Sequence, residues 1–250
     1  ATRRTRSRDQ ARLGQAPVRL PLLIVQRPLQ GKNPFADSAV AIHYEDWYGG
    51  SGRKADELEK RLLGKLLSRF PDARTALEVG CGTGHFTRWL AGRGLNVIGL
   101  DISWPMLLEA GRLRSPLCLQ GDAQSLPFVD QSVDLAVVIP TLEFVENPLR
   151  TLIEAVRVAR QGRMLGVLNC RSLLGRRYRA SGKPIWTAAH FFSVGELKQW
   201  VAQAAGTRLL SVRWCTTLWP ILRLPDAPLP WGGFIGLVAQ LGDDKSRRRG

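Results

Sequence analysis

The sequence predicts an α/β chain, a single domain built on an open, doubly wound sheet of seven strands. Three observations carry this reading. Ala76-Leu-Glu-Val79 is a short apolar run that passes into alternating glycines, Gly80, Gly82 and Gly84, and then into a helix-forming stretch from His85 to Gly92. A second apolar run, Asn96 to Leu100, follows about 20 residues on and ends in an acid, Asp101. From there strand-like and helix-like segments alternate, the pattern of parallel strands joined by helical crossovers. Ligands of such sheets bind at the carboxyl ends of the strands, where Glu78, the glycines and Asp101 fall.

The elements follow in order. Residues 55–69 form a helix, because Leu58, Leu62, Leu63, Leu66 and Leu67 recur on one face, and Pro71 ends it. Strand 1 covers 75–79 and the next helix 85–92, with Gly94 after it; strand 2 covers 96–100. Ser103 caps a further helix with Pro105 in its first turn and Met106 and Leu107 opening its apolar side. A short strand lies at 116–120, and the near-continuous apolar run 133–139 is a buried parallel strand. A helix at 148–159 turns Leu149, Leu152, Ile153 and Val156 inward. A strand at 163–169, a helix at 194–205 and strands at 208–214 and 234–240 complete the sheet, the last pair able to form an antiparallel hairpin. Residues 170–192 read as a long basic connection, and 216–233 as a loop rich in proline and tryptophan.

Composition sets outer limits. With 250 residues and 44% hydrophobic content the chain can bury one large core, and no apolar run reaches the 18 or more residues of a membrane span. The net charge is +15. Much of it sits in the flanks: Arg3, Arg4, Arg6, Arg8, Arg12, Arg19 and Arg27 at one end, Lys245 and Arg247 to Arg249 at the other. Residues 1–33 read as a basic, partly disordered tail and 243–250 as a second. Segment 1–30 has the composition of a transit peptide without a clear amphipathic helix. The cysteines, 81, 118, 170 and 215, make no C-x-x-C pair, so no metal site is expected, and their scatter suits a reducing cytoplasm. Gly49-Gly50-Ser51-Gly52 lacks the G-K-[ST] of a phosphate loop, and His85 stands where a dinucleotide fingerprint has its third glycine.

Three motifs in order, Glu78-Val-Gly-Cys-Gly-Thr-Gly84, Leu100-Asp-Ile-Ser103 and Gly121-Asp-Ala-x-x-Leu-Pro-Phe128, resemble the class I S-adenosylmethionine-dependent methyltransferases. The likeness is to their small-molecule branch, the ubiquinone/menaquinone-biosynthesis or type 11 group, over about residues 40 to 240. It implies a Rossmann-like sheet of order 3-2-1-4-5-7-6 with the last strand antiparallel, and a methyltransferase domain over 34–242. Within it, 34–70 would be a cap over the cofactor, and 170–192 and 216–233 would be loops on the acceptor side. S-Adenosylmethionine is the implied cofactor. By position, the Gly80, Cys81 and Gly82 backbone would pass its amino-acid part and ribose with Glu78 nearby. Asp101 would take the ribose hydroxyls, Ile102 would pack on the adenine, Asp122 would meet the adenine amino group, and Ala123 would offer its N–H. Ile139 completes the set.

The chain departs from the family in having Arg160-Gln-Gly162 where Pro-Gly-Gly is usual, so a modified turn is expected, with one glycine left to end the helix. Ile139-Pro-Thr-Leu142 does not match the Asn/Asp-Pro-Pro-Tyr of enzymes that methylate base amines in DNA. No catalytic triad is required, since transfer from a sulfonium needs chiefly alignment, and a base only where the acceptor must lose a proton. Glu143 is a candidate for that base or for binding a cationic substrate, and His43 and His190 are the other candidates for a base. The expected acceptor is a small molecule. The alternatives are RNA, gripped by the basic tail and 171–183 with Tyr178 and Trp186 stacking on bases, or a non-catalytic scaffold that keeps the fold.

Overall fold

The computed structural model describes residues 34–219 and 226–243. The arginine-rich tail at 1–33, the tail after Asp243 and part of the 216–233 loop lie outside the described residues. The sheet has the order β3-β2-β1-β4-β5-β7-β6. Its strands are β1 (Thr75–Val79), β2 (Asn96–Asp101), β3 (Cys118–Gln120), β4 (Val133–Val138), β5 (Ala159–Leu168), β6 (Leu209–Thr217) and β7 (Phe234–Leu241). Six strands run the same way, and β7 runs antiparallel to them between β5 and β6. This is the expected Rossmann-like order.

β4 shows why the sheet is central. All six of its residues are buried, because both faces are covered. Leu135 and Val137 point to one face and Ala136 and Val138 to the other, as the two-residue period of a strand requires. The first face receives Leu62, Leu63 and Leu66 of α3 (Arg53–Leu67) and Phe86 and Leu90 of α4 (His85–Ala91). The second receives Leu152 and Ala155 of α6 (Pro148–Val158) and Leu197 and Val201 of α9 (Val194–Ala205). Each buried leucine is worth about 1.5–3 kcal/mol. α5 (Trp104–Arg112) packs along β2 and β3 and begins at the expected cap, Ser103, whose hydroxyl accepts from the Met106 N–H.

Four short helices were not anticipated as such: α1 (Ser38–Ile42), α2 (Asp46–Gly49), α7 (Leu173–Ala180) and α8 (Pro184–Thr187). The first two form part of a cover over the carboxyl edge of the sheet, with α1 packed on α5 and α2 on α3. A hydrogen bond of 2.6 Å from Ser103 Oγ to the Phe35 carbonyl ties this cover down. The last two fill the basic connection, where Tyr178 and Trp186 stack on each other at 4.4 Å and 6°.

The turn into β5 corrects the expectation of a glycine ending the preceding helix. α6 runs straight into β5, with Ala159 already extended at the junction. Gly162 lies inside the strand, where a Cβ would stand 2.5 Å from the Ala239 carbonyl and from the Phe70 ring. The helix end is satisfied by a cation instead. The guanidinium of Arg208 donates to the carbonyls of Val156 (2.7 Å) and Ala159 (2.9 Å), and also to Gly242 (3.1 Å).

Candidate active site

The glycine turn forms as its sequence requires. Gly80, Gly82 and Gly84 have φ of +76°, +54° and +77°, a region that side chains other than glycine's enter only at a cost. The N–H groups of Gly80 and Cys81 both donate to the Leu100 carbonyl, at 2.7 and 3.0 Å, so the turn is bolted to the end of β2. A Cβ on Gly80 would stand 2.2 Å from the Thr141 side chain. Among the described residues the only atom near a Cβ added at Gly82 is Tyr44 Cε1 at 4.0 Å, so that backbone presents an open face.

Over this face lies a cavity of about 740 Å³. Of the residues singled out by sequence, Gly80, Gly82, Asp101, Ile102, Asp122 and Ala123 line it. Glu78, Cys81 and Ile139 stand behind its wall. Glu78 is buried and accepts from the Thr87 hydroxyl of α4, and burial holds its carboxyl well above the usual range. Cys81 lies with Cys118 against Gly99, each sulfur within 2.9 Å of where a Cβ would sit. Ile139 is buried against Gly166.

Asp101 is held from two sides. Its Oδ2 accepts from the Gly82 N–H and its Oδ1 from the Ser103 N–H, both at 2.8 Å. Burial raises its pKa against the pull of those donors. Each oxygen keeps acceptor capacity toward the cavity. Asp122 accepts from the Gln124 N–H at 2.8 Å, forming an Asx turn on the cavity wall.

The three candidates for a base separate. His43 points away from the cavity, with its side chain 74% exposed and paired to Asp46 at 3.0 Å. His190 lines the cavity rim, bonded to Glu196 at 2.8 Å and stacked on Trp200. Glu143 also lines the cavity and is 1% exposed. Its Oε1 accepts from the Leu168 N–H at 2.6 Å, while its Oε2 has no hydrogen-bond partner among the described residues. Burial pushes its pKa up to about 8 despite the Leu168 donor.

Aromatic rings of the cover and of the segment after β4 form part of the cavity wall. Phe35 meets Phe144 edge-on at 5.0 Å and Tyr44 at 6.1 Å, and all three line the cavity. Burial pushes the Tyr44 phenol up to about 12. Beside them His85 stacks on Tyr48 at 3.5 Å and contacts Asp56 Oδ1 at 2.8 Å and Glu45 Oε2 at 3.3 Å. Burial, and the Lys60 ammonium 2.7 Å from Nε2, lower the His85 pKa; the two carboxylates raise it by more, and the net shift is upward. Glu45 also accepts from the Thr83 hydroxyl and from Arg88, joining the cover to the glycine turn.

Sequence reasoning missed Glu59, which is 7% exposed on α3, its pKa raised to about 8 by burial first and then by the charges of Asp56 and Glu143. The signal was available: position 59 lies on the same helical stripe as Leu62, Leu63 and Leu66, where an acid is out of place. Thr141 was also missed; its hydroxyl donates to the Gly80 carbonyl at 3.2 Å.

Comparison with known proteins agrees with this geometry. Residues 77–166 match the family model described as a methyltransferase domain. An uncharacterized protein of Methanocaldococcus jannaschii is 30% identical over 162 residues, which is 63% of this chain and 74% of that protein. The malonyl-[acyl-carrier protein] O-methyltransferase of Pectobacterium atrosepticum is 34% identical over 109 residues, 42% of this chain and 43% of that enzyme. The chain thus spans less than half the length of that curated enzyme. Among solved structures, a methyltransferase of Thermotoga maritima described as a possible histamine N-methyltransferase superposes with a TM-score of 0.70 at 29% identity, covering 81% of this chain and 96% of that one. With the three motifs at the carboxyl edge of a 3-2-1-4-5-7-6 sheet, these matches identify the chain as a member of the class I S-adenosylmethionine-dependent methyltransferases.

Proposed function

We propose that this protein transfers a methyl group from S-adenosylmethionine to a small-molecule acceptor held in the cavity. The observation that carries the reading is the open face over Gly82 beside the buried Asp101 carboxylate, a cradle with room for a ligand and an acceptor for its hydroxyls. When bound, the cofactor supplies an activated methyl group on a sulfonium.

The residues have these roles. Asp101 accepts from the ribose diol, and its bond to Gly82 keeps the turn shaped to receive it. Gly80 and Gly82 let the backbone approach closely. Ile102 packs on the adenine, Asp122 accepts from its amino group, and Ala123 donates to the ring. Glu78, Cys81 and Ile139 act from behind the wall, Glu78 by fixing Thr87 and so the start of α4. The Phe35, Tyr44 and Phe144 rings give the acceptor side of the cavity an aromatic wall.

A small acceptor is favoured over RNA. Tyr178 and Trp186, the rings expected to stack on bases, are stacked on each other, and the cover of α1 and α2 narrows access to the cavity. Among the described residues no helix is long and apolar enough to cross a membrane. Four free thiols support a reducing, cytoplasmic setting.

Calorimetric titration with S-adenosylmethionine, followed by transfer of labelled methyl groups into a cell extract split into small-molecule and RNA fractions, tests the reading. Saturable binding with label in the small-molecule fraction is expected. Failure to bind the cofactor, or label confined to RNA, would refute it.

A further inference from the structure

The cavity's charge is the reverse of the chain's. The protein carries a net +15, yet among the described residues no lysine or arginine lines the cavity, whereas Asp101, Asp122, Glu143 and Glu146 do. The two aspartates are engaged on the cofactor side. Glu143 and Glu146 remain, on the segment that follows β4, and Glu59 stands close enough behind for the charge of Glu143 to act on it. Among the described residues the one basic side chain at the cavity is His190, which is already paired with Glu196 at the rim, so an anionic acceptor would meet acids with no free cation among these residues to receive it. Against those acids stand the faces and edges of Phe35, Tyr44 and Phe144. Aromatic faces and carboxylates together are a setting for a cation.

From this geometry we infer that the acceptor is a small amine that enters as an ammonium ion, and that Glu143 is the base that takes its proton. The inference rests on the methyltransferase reading above and names its acceptor class. Glu143 is suited by position. Its Oε1 is pinned by the Leu168 N–H, which fixes the carboxylate plane, and its Oε2 is buried and unpartnered. A buried oxygen left without a partner is costly, and it marks a place where a ligand's donor belongs. In the step itself an N–H bond of the ammonium breaks and an O–H bond forms at Oε2. The nitrogen keeps the electron pair, and the carboxylate becomes a neutral acid. The neutral nitrogen then has a lone pair free to accept a methyl group, which an ammonium lacks. Afterwards the proton on Oε2 leaves to solvent.

A pKa near 8 suits this task, because it lies between those of ordinary carboxylates and of free amines. Among the titratable groups around Glu143 are Glu59 of α3, Tyr44 of the cover and His190 of the connection after β5, whose backbone N–H donates to the Glu143 carbonyl at 2.8 Å. Burial keeps the Tyr44 phenol uncharged near neutrality, while Glu59 is raised to about 8 as Glu143 is and ionises over the same range; Glu59 is set apart by position, since it does not line the cavity where the ammonium would sit.

Two experiments decide. In the first, methyl-labelled S-adenosylmethionine and the full chain are incubated with a small-molecule extract divided beforehand on a cation exchanger at neutral pH. Label in an alkali-stable product of the retained fraction is the expected result. Label in unretained or alkali-labile products, which marks carboxylate or phenol acceptors, overturns the inference, and so does no label at all when the cofactor binds. A protein that does not bind the cofactor in calorimetry fails at the methyltransferase reading itself.

The second experiment titrates 2-phenylethylamine and its near-isostere 3-phenylpropanoate onto the protein at about pH 8.5–9, where the Glu143 carboxyl is ionised and the amine is still an ammonium. The amine should bind at least about 10-fold more tightly, and Glu143→Gln, which keeps an oxygen for the Leu168 N–H, should abolish the preference. Equal affinity in the wild type, or a preference that survives Glu143→Gln, overturns the assignment. With the labelled acceptor fraction, Glu143→Gln should lower the rate about 100-fold or more and remove the rise in rate with pH that ends near 8.

Discussion

The N–H of Gly82 and the carboxylate of Asp101 meet at 2.8 Å, so the glycine turn after β1 and the acid at the end of β2 form one unit. Neither works alone. The positive φ of Gly82 aims its N–H at Asp101, and Asp101 in turn holds the Ser103 N–H that starts α5. Asp101→Ala should therefore weaken S-adenosylmethionine binding by about 1.5–3 kcal/mol, the worth of charge-assisted hydrogen bonds. Asp101→Asn, which can accept from only one of the two backbone donors, should fall between. Calorimetry on folded variants checks this, and unchanged affinity in Asp101→Ala would remove Asp101 from the site.

Gly80 carries a different constraint. Its φ of +76° disfavours any side chain, and a Cβ would collide with Thr141 at 2.2 Å. Gly80→Ala should cost about 1–3 kcal/mol of stability and weaken cofactor binding as the turn shifts. Trimming the neighbour in Gly80→Ala/Thr141→Gly should restore only part of the loss, since the backbone term remains. Full recovery in chemical denaturation would show that the collision alone sets the requirement.

How much of this was legible in the sequence depends on how local the cause is. The β4 run, the Ser103 cap and the glycine turn are short-range signals, and each lies where it was expected. The start of β5 was not legible, because the residue that ends α6 is Arg208, 48 positions or more from the carbonyls it binds at that junction. Likewise α7 carries few apolar residues. It is organised by its Ser172 cap, which accepts from the Gly175 N–H at 2.9 Å, and by the Tyr178–Trp186 stack across two helices. In the site, Asp101 and Asp122 follow from motif position. The distinction between Glu143 inside the cavity and His43 outside it needed the fold of the cover, since both are plausible bases by type alone.

Glu59 links the site to stability. Its pKa is raised from the usual 4.5 to about 8, first by burial and then by Asp56 and Glu143. A carboxyl raised on folding is neutral in both states below the unfolded value, so no stability is lost there. As pH climbs from about 4.5 toward 8, the unfolded chain ionises first and the folded state loses ground. Glu59→Gln should then be more stable than the wild type at pH 8 and show little advantage at pH 4.5. Thermal melts at both values check the sign; an advantage independent of pH would mean the effect is packing, not ionisation.

His85 reports the opposite sign. The carboxylates of Asp56 and Glu45 outweigh burial and raise its pKa above 6.5. The protonated ring holds the cover against the glycine turn, so this contribution is full below the unfolded pKa and is lost as pH rises through the folded one. Asp56→Asn removes the closer carboxylate, at 2.8 Å, and should lower the His85 pKa in an NMR titration. It should also speed amide exchange in α2 near pH 7. A His85 pKa that does not move would show that Asp56 is neutralised by Lys60, which lies 2.9 Å from its other oxygen.

Arg208 makes the most non-local structural claim. It is 9% exposed, and its guanidinium bridges the end of α6, the start of β5 and the Gly242 carbonyl after β7. Arg208→Ala strands these carbonyls in a buried junction, where each lost partner costs about 1–3 kcal/mol. One relief opposes this. Arg163 is fully buried, its pKa brought down to about 9 by burial and then by the charge of Arg208, and removing that charge eases it. The net loss should be about 2–4 kcal/mol in urea unfolding. Arg208→Lys should recover only a fraction, because a single ammonium cannot span a planar set of carbonyls. Cofactor affinity of the folded fraction should be unchanged, since the junction lies at the opposite edge of the sheet from Asp101. A loss below about 0.5 kcal/mol, the range of ordinary surface substitutions, would mean that water takes over the carbonyls and that Arg208 is not what ends the helix.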